Sequence, residues 1–399
     1  MHDQSYPSQR SRRLMGSLLT MAVILALSWS GYHGLFAQDG AASGPLAPTA
    51  FDTPMTSSPI SMSQDKSFIW VVNPDDGSVA VIGDLTTTPR VLRTIQNVGR
   101  EPQAVALDTT NHAYVVSPPD NGVKIIDITN SNPATFGATP RPGFLVTGAE
   151  PWNLVASPDG SRIFVANSGQ DTITVIRTDN QTIVGSVDLR KSLCNVDSQN
   201  RRFQPRGLAV TQDGTRLYVA RFFSYVKPDG VQGADGGKEG VVCQLTIPGD
   251  VATLPTVASA ARIAAMDSGF KNPNGSAAIS HPNQLQSIVV FGNQLYLPNI
   301  GASTGAPDRF NVSTQAHVNV LDNAGSGTPA DAPAKAVNMH LGARVPESGK
   351  KKLFFSNPWA IAFRDTAGTD NAYVVSAGSD LLVKLNVDAT GDLTFTTGV

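Results

Sequence analysis

EPWNLVASPDGSRIFVANSGQDTITVI, residues 150–176, is the stretch whose reading decides the fold. Trp152 to Ala156 is a short apolar run that stops at Ser157-Pro158-Asp159-Gly160. Pro at the second turn position presets φ and Gly tolerates positive φ, so this tetrapeptide reads as a tight turn. Ile163 to Ala166 follows as four apolar residues without alternation, the pattern of a strand covered on both faces. Ser168-Gly169-Gln170-Asp171 reads as a second turn, and Thr172 to Ile176 alternates with period two. Thr182 to Leu189 completes a four-stranded meander. One such sheet leaves apolar faces in water, so it has to stack on copies of itself.

Degraded copies do recur, near residues 60–98, 99–147, 148–200, 201–278, 279–354 and 355–399. Their leading prolines stand at 102, 151, 205, 282 and 358, with intervals of 49, 54, 77 and 76 residues. A minimal four-stranded unit needs roughly 40–45 residues. The excess falls in Gly- and Pro-rich loops, of which Lys227 to Lys238, Ala258 to Ser280 and Ala302 to Thr314 are the long insertions. The last residues, Phe395 to Val399, parallel Leu145 to Ala149, which lead straight into Glu150-Pro151. Two expectations stay open: six copies close a ring, or the ring is incomplete at its C-terminal end.

Composition agrees with an all-β chain. Of 399 residues, 36 are Gly and 27 Pro, and only 16% are charged, so turns are many and charged helix surface is scarce. The formal net charge of −2 carries no electrostatic footprint for nucleic acid. At the N-terminus, Arg10, Arg12 and Arg13 precede the uncharged run Leu14 to Trp29, and Leu35-Phe36-Ala37 offers a small-residue cleavage site. Residues 1–37 therefore read as a signal peptide, with an uncleaved membrane anchor as the rival. Residues 38–57, rich in Ala, Gly, Ser, Thr and Pro, read as a flexible linker before a domain spanning 58–399. The expected location is periplasmic or extracellular, with contact to a membrane only through that N-terminal segment.

The marks YVVS, FVAN and YVAR, with the paired GAEP and SPDG, resemble the YVTN-type β-propeller repeats of secreted bacterial and archaeal proteins. The resemblance covers residues from about Ile60 onward. It implies a β-propeller of about six to seven four-stranded blades. It says little about activity, because propellers serve many. Some exported propellers of this sort are joined to cytochrome c or peroxidase-like domains. That join needs a C-x-x-C-H haem site, and here the only cysteines are Cys194 and Cys243. No cofactor is evident.

Those two cysteines, both near the fourth repeat, are candidates for a disulfide in an exported protein. Asp229, Asp235 and Glu239, in the insertion PDGVQGADGGKEG, are weak candidates for oxygen ligands of a hard cation. The Asp-Gly pairs at 76–77, 159–160 and 213–214 read instead as turns whose side chains cap their own backbone. Arg309 and Asn311 are the polar groups of the Ala302 to Thr314 loop and are candidates for binding, since insertions gather at the ends of such a ring. His112, His281, His317 and His340 show no metal-ligand spacing, and no nucleophile elbow or P-loop is present. Trp152 and Trp359, each just after a repeat's Pro, read as packing residues, with a binding platform as the lesser reading. The expected function is a non-catalytic scaffold for an unidentified protein or small molecule. The alternative is a propeller-type enzyme or electron-transfer module, lactonase-like or cytochrome-fused.

Overall fold

The computed structural model describes residues 56–57, 59–191, 193–194, 202–305, 309, 312–342, 354–364 and 370–395. Every described residue lies in one compact unit that begins at Thr49. The signal or anchor segment lies outside the described residues, as does most of the linker. Among the described residues no helix is long and apolar enough to cross a membrane.

Strands follow one another as antiparallel sheets in chain order, six in the described residues. The third sheet is the meander read from the sequence: Pro151–Ala156, Arg162–Asn167, Thr172–Arg177 and Thr182–Asp188. The sixth repeats it as Pro358–Arg364, Asp370–Ser376, Leu381–Val387 and Leu393–Phe395. Ile163–Ala166 and Tyr373–Val375 thus occupy the second strand of their respective sheets. The others depart from the expected four strands. The first adds Thr56–Ser57, the end of the expected linker, as a strand beside Ile60–Met62. The second and fourth have five strands, and the fifth has seven.

Two local devices recur among the sheets. At the first turn a hydroxyl or carboxylate caps the backbone: Ser157-Pro158-Asp159-Gly160-Ser161 and Thr211-Gln212-Asp213-Gly214-Thr215 close with Gly160 N and Gly214 N donating to Ser157 O and Thr211 O at 2.8 and 2.9 Å. Asp159 and Asp213 accept from the amides two residues on, both at 3.0 Å, as Asx turns do. Ser63-Gln64-Asp65-Lys66-Ser67 is the same turn, with Lys66 at φ 59° in place of the glycine. At the entry to the first strand, the residue before the repeat's Pro sits in the left-handed region: Glu101, Glu150, Gln204 and Asn357 all have φ between 47° and 53°. The carbonyls of Glu150, Gln204 and Asn357 accept from Ser168, Phe222 and Ala377 of their own sheets.

The second strand carries one aromatic at a fixed place in every sheet: Trp70, Tyr114, Phe164, Tyr218, Tyr296 and Tyr373. The first five have no exposed surface, and each lies in the apolar core shared with the following sheet. Tyr218 and Tyr296 also donate their hydroxyls to carbonyls of that sheet or its turns, Ala324 at 2.6 Å and Gly391 at 2.9 Å. Five such cores therefore join consecutive sheets. Between the sixth and the first, the strand Thr56–Ser57 comes against Pro358–Arg364, but the described residues form no buried apolar cluster. There Tyr373 is half-buried, and the cross-strand neighbours Val375 and Leu382 are 43% and 63% exposed.

Two expectations about the fifth repeat need correction. Pro282 does not lead a first strand but sits inside Ala277–Asn283, paired with Gly301. The lead-in is Gln284, in the left-handed region at φ 55°, followed by Leu285 where the other repeats have Pro. Ala258 to Ser280 is not a loop, because most of it lies in the strands Thr256–Ile263, Met266–Lys271 and Ala277–Asn283.

Tyr218→Ala should cost about 3–5 kcal/mol, as an aromatic truncated in a closed core does. Tyr373→Ala should cost less than half of that, and Leu382→Lys should stay within about 0.5 kcal/mol, as surface changes do. Urea unfolding of the three variants checks the ranking; equal losses at Tyr218 and Tyr373 would mean that the sixth sheet is covered like the others.

Candidate functional site

The first strands of the sheets surround a central channel, and the cavity in it measures about 630 Å³. Residues of every sheet line it: Ser61 and Met62, Ala106 to Thr109, Val155 to Pro158, Leu208 to Asp213, Ile288 to Gly292, and Phe363. Its wall is mainly aliphatic because the first strands are apolar runs. Its rim is polar where the runs of the first, third and fourth sheets end in the capped turns described above. Gln64, Thr109 and Gln212 are exposed on that rim.

The two carboxylates on the lining are already engaged. Asp108 accepts from Thr110 N, His112 N, His112 Nδ1 and the Tyr114 hydroxyl, at 2.8 to 3.1 Å. Asp213 accepts from the Thr211 and Thr215 hydroxyls, and the Thr211 bond leads the causes that hold its carboxyl below the usual range. Neither is a free general base. His112, next to Asp108, faces Asp127 and Arg141 with its other nitrogen, at 3.5 and 3.2 Å. It is a structural node of the second sheet.

The residues singled out in the sequence fall in different places. Asp229 is exposed, Asp235 pairs with Arg309 at 2.9 Å, and Glu239 is a buried strand residue. Glu239 accepts from the Tyr225 hydroxyl and from Arg262. A carboxylate taken out of water needs such partners. Among the described residues no group of three or more His, Cys, Asp and Glu side chains could hold a metal ion. Arg309 points inward, to Asp235 and Asn272, rather than displaying its charge at a loop tip. Asn311 lies outside the described residues. Cys194 and Cys243 are joined in a disulfide with their Cα atoms 5.6 Å apart. It ties the segment after the third sheet to the central strand Lys238–Thr246 of the fourth.

Three histidines gather without any local signature, because they are 36 and 23 residues apart along the chain, at 281, 317 and 340. The fifth sheet brings them close enough for His281 and His340 to oppose a charge on His317. His317 and Ser280 have no exposed surface, and Ser280 Oγ lies 3.1 Å from His317 Nε2. Gly301 is required beneath the ring, since a Cβ there would stand 2.3 Å from His317 Cε1. No substrate reaches this pair, so its role is internal.

Burial pushes the His317 imidazole down to about 3 from an ordinary 6.5. Above the ordinary value neither the native nor the unfolded chain holds the proton, and stability is unaffected. Below it the unfolded chain takes up the proton and the native one does not. Native stability is therefore lost as pH falls from the unfolded value toward the folded one, at about 1.4 kcal/mol per pH unit. Urea midpoints should drop between about pH 6.5 and pH 5, and His317→Gln should flatten that slope; an unchanged slope would place the acid sensitivity elsewhere. Replacing both Cys194 and Cys243 by Ser should cost about 2–4 kcal/mol by freeing the intervening chain in the unfolded state, read from the same unfolding curves.

No family model matches the chain, and no curated protein matches it. Solved structures do. The periplasmic gluconolactonase of Pseudomonas aeruginosa is 14% identical, with 84% of this chain and 83% of that one covered at a TM-score of 0.53. Hydrazine synthase of Kuenenia stuttgartiensis is 18% identical, with 87% and 80% covered at 0.51. A hypothetical selenium-binding protein of Sulfolobus tokodaii is 11% identical, with 84% and 75% covered at 0.53. At such identities the likeness carries the architecture alone: the chain has the all-β, propeller-like arrangement of small sheets.

Proposed function

We propose that this chain is an exported propeller that admits a small molecule to its central channel and acts on it as a lactonase-like hydrolase. The bare-scaffold expectation becomes the second reading. The observation that carries the proposal is the channel cavity, about 630 Å³ in volume, with aliphatic walls and a rim of hydroxyls and amides. A concave, mostly apolar site with a few convergent polar groups is what small-molecule recognition needs. The likeness to a periplasmic gluconolactonase supports the reaction class. The charged N-terminal segment and the disulfide support export.

Lactone opening is an undemanding reaction for such a site. Water adds to the ring carbonyl and the ring C–O bond breaks, leaving a hydroxy acid. No covalent nucleophile is required, so engaged carboxylates on the wall are no obstacle. The protein has to bind the ring, exclude competing poses and donate hydrogen bonds to the developing oxyanion. The rim groups Gln64, Thr109 and Gln212 suit the hydroxyls of a sugar-like ring.

The test is proton release from glucono-δ-lactone by the purified chain, above the spontaneous rate. Val290→Trp and Ala156→Trp place a large ring in the channel from the fifth and third sheets. Each should lower kcat/KM at least tenfold with the melting temperature nearly unchanged. Hydrolysis that never exceeds the spontaneous rate, or that ignores both substitutions, returns the chain to the scaffold reading.

A further inference from the structure

The first strands begin at the end of the channel away from the cavity's turn-lined rim. In the third, fourth and sixth sheets the ladder slips just after the leading Pro, between Pro151 and Asn153, Pro205 and Leu208, and Pro358 and Ala360. A bulge of this kind re-aims the extra side chain out of the ladder. The residues so released are Trp152, Arg206 with Gly207, and Trp359. Gly207 lets the fourth sheet approach the fifth, since a Cβ there would lie 3.1 Å from Ile288.

Arg206 is held in an unusual setting. Its guanidinium carbon lies 3.7 Å from the centroid of Trp152 and 3.7 Å from that of Phe222, so rings from two sheets flank the cation. The amide of Asn153 donates to the Arg206 carbonyl at 2.9 Å and fixes the strand beneath it. Nε is buried without a hydrogen-bond partner, and among the described residues the side chain forms no ion pair. Burial lowers its pKa to about 10, with Glu150 the one charge opposing that shift, so it remains a cation at neutral pH. Elsewhere in the molecule arginines meet carboxylates directly, as Arg309 meets Asp235 and Arg141 meets Asp127 at 2.9 and 2.7 Å. Flanking rings attract a desolvated cation through their π-faces, but they offer its N–H groups no acceptor. A planar fork left without its acceptor is suited to a carboxylate or phosphate.

We propose that Arg206, clamped between Trp152 and Phe222 at the start of its strand, binds the oxyanion group of a small organic acid. The site deepens the channel reading by naming the ligand's charge, and it rests on that reading only for the ligand being small enough to enter. The anion completes the guanidinium fork, the two rings pack against the ligand's apolar or sugar faces, and Glu150, whose charge acts on Arg206, disfavours multiply charged anions.

The experiment is calorimetric titration of the purified full chain with D-gluconate, with inorganic phosphate, and with the uncharged sorbitol as control. Gluconate should bind, more weakly as salt rises, and sorbitol should not. Arg206→Gln should weaken binding at least tenfold, and Arg206→Lys, which keeps charge but loses the fork, should fall between. Circular dichroism and melting of each variant confirm folding. If Arg206→Gln does not fold, Arg206→Lys and Trp152→Leu carry the comparison, both with weakened binding expected. Tighter binding of phosphate than of gluconate would assign the site to phosphate-bearing acids. Equal binding of gluconate and sorbitol, or equal affinity in wild type and the Arg206 variants, would overturn the site. Loss of that site with Val290→Trp still abolishing lactone hydrolysis leaves the channel reading standing. Retained, Arg206-dependent anion binding in a chain that never hydrolyses lactone sinks the channel enzyme alone.

Discussion

Every small sheet in this chain has two apolar faces and cannot hide either one by itself. That constraint organises the molecule. Burial of apolar surface contributes roughly 25 cal/mol per Å², and an isolated four-stranded meander leaves half of its apolar side chains wet. The fixed aromatic of the second strand shows how the demand is met. Trp70, Tyr114, Phe164, Tyr218 and Tyr296 each enter the core shared with the next sheet. Where the aromatic is a tyrosine in the fourth or fifth sheet, its hydroxyl reaches a carbonyl of the following sheet or its turns. One position thus supplies both contact area and register between neighbours.

The same position shows where the constraint is not met. Tyr373 is the sixth aromatic, and the core that should receive it is missing from the described residues. Val375 and Leu382 beside it are exposed, and Ile60 on the first sheet is 41% exposed. The faces on either side of that seam have the composition of an inter-sheet interface and the solvent exposure of a surface. The contact that bridges it is made by Thr56–Ser57, a two-residue strand on the inner edge. Such an arrangement closes the channel without covering the outer parts of either sheet.

Much of this was legible in the sequence, for reasons that can be traced to particular residues. SPDG at 157–160 and TQDG at 211–214 are turns with their capping groups in place, and the apolar run after each is the buried second strand. The fifth sheet was misread because its lead-in is Gln284-Leu285, which keeps the left-handed backbone and drops the proline. A repeat sought by its Pro then attaches to Pro282 three residues early. The alternating Thr256–Ile263 was passed over because Ala and Ser make its apolar face faint. The partners of the cation candidates were not legible, because charge along the chain does not show what each group meets. Glu239 and Asp235 each have a buried arginine or tyrosine contact that only the folded chain supplies.

Arg206 was missed for a different reason, and that reason bears on where function arises in a repeat fold. Within a ladder, each residue's facing is dictated by pairing, so its identity is constrained by the neighbouring sheet. At the slip after the leading Pro the ladder releases a residue, and its identity is freed. Trp152, Arg206 and Trp359 occupy that released place in three sheets, alike in backbone and unlike in chemistry. Read along the chain they look like noise in the repeat. In the fold Trp152 and Arg206 become neighbours, and a cation from one sheet comes to lie on a ring from the previous one. The turns at 157–161 and 211–215, by contrast, hold their serine, threonine and aspartate side chains in capping. The two ends of a first strand therefore differ: one is held by its turn and the other is released by its bulge. Chemistry specific to this chain is to be sought where the ladder slips.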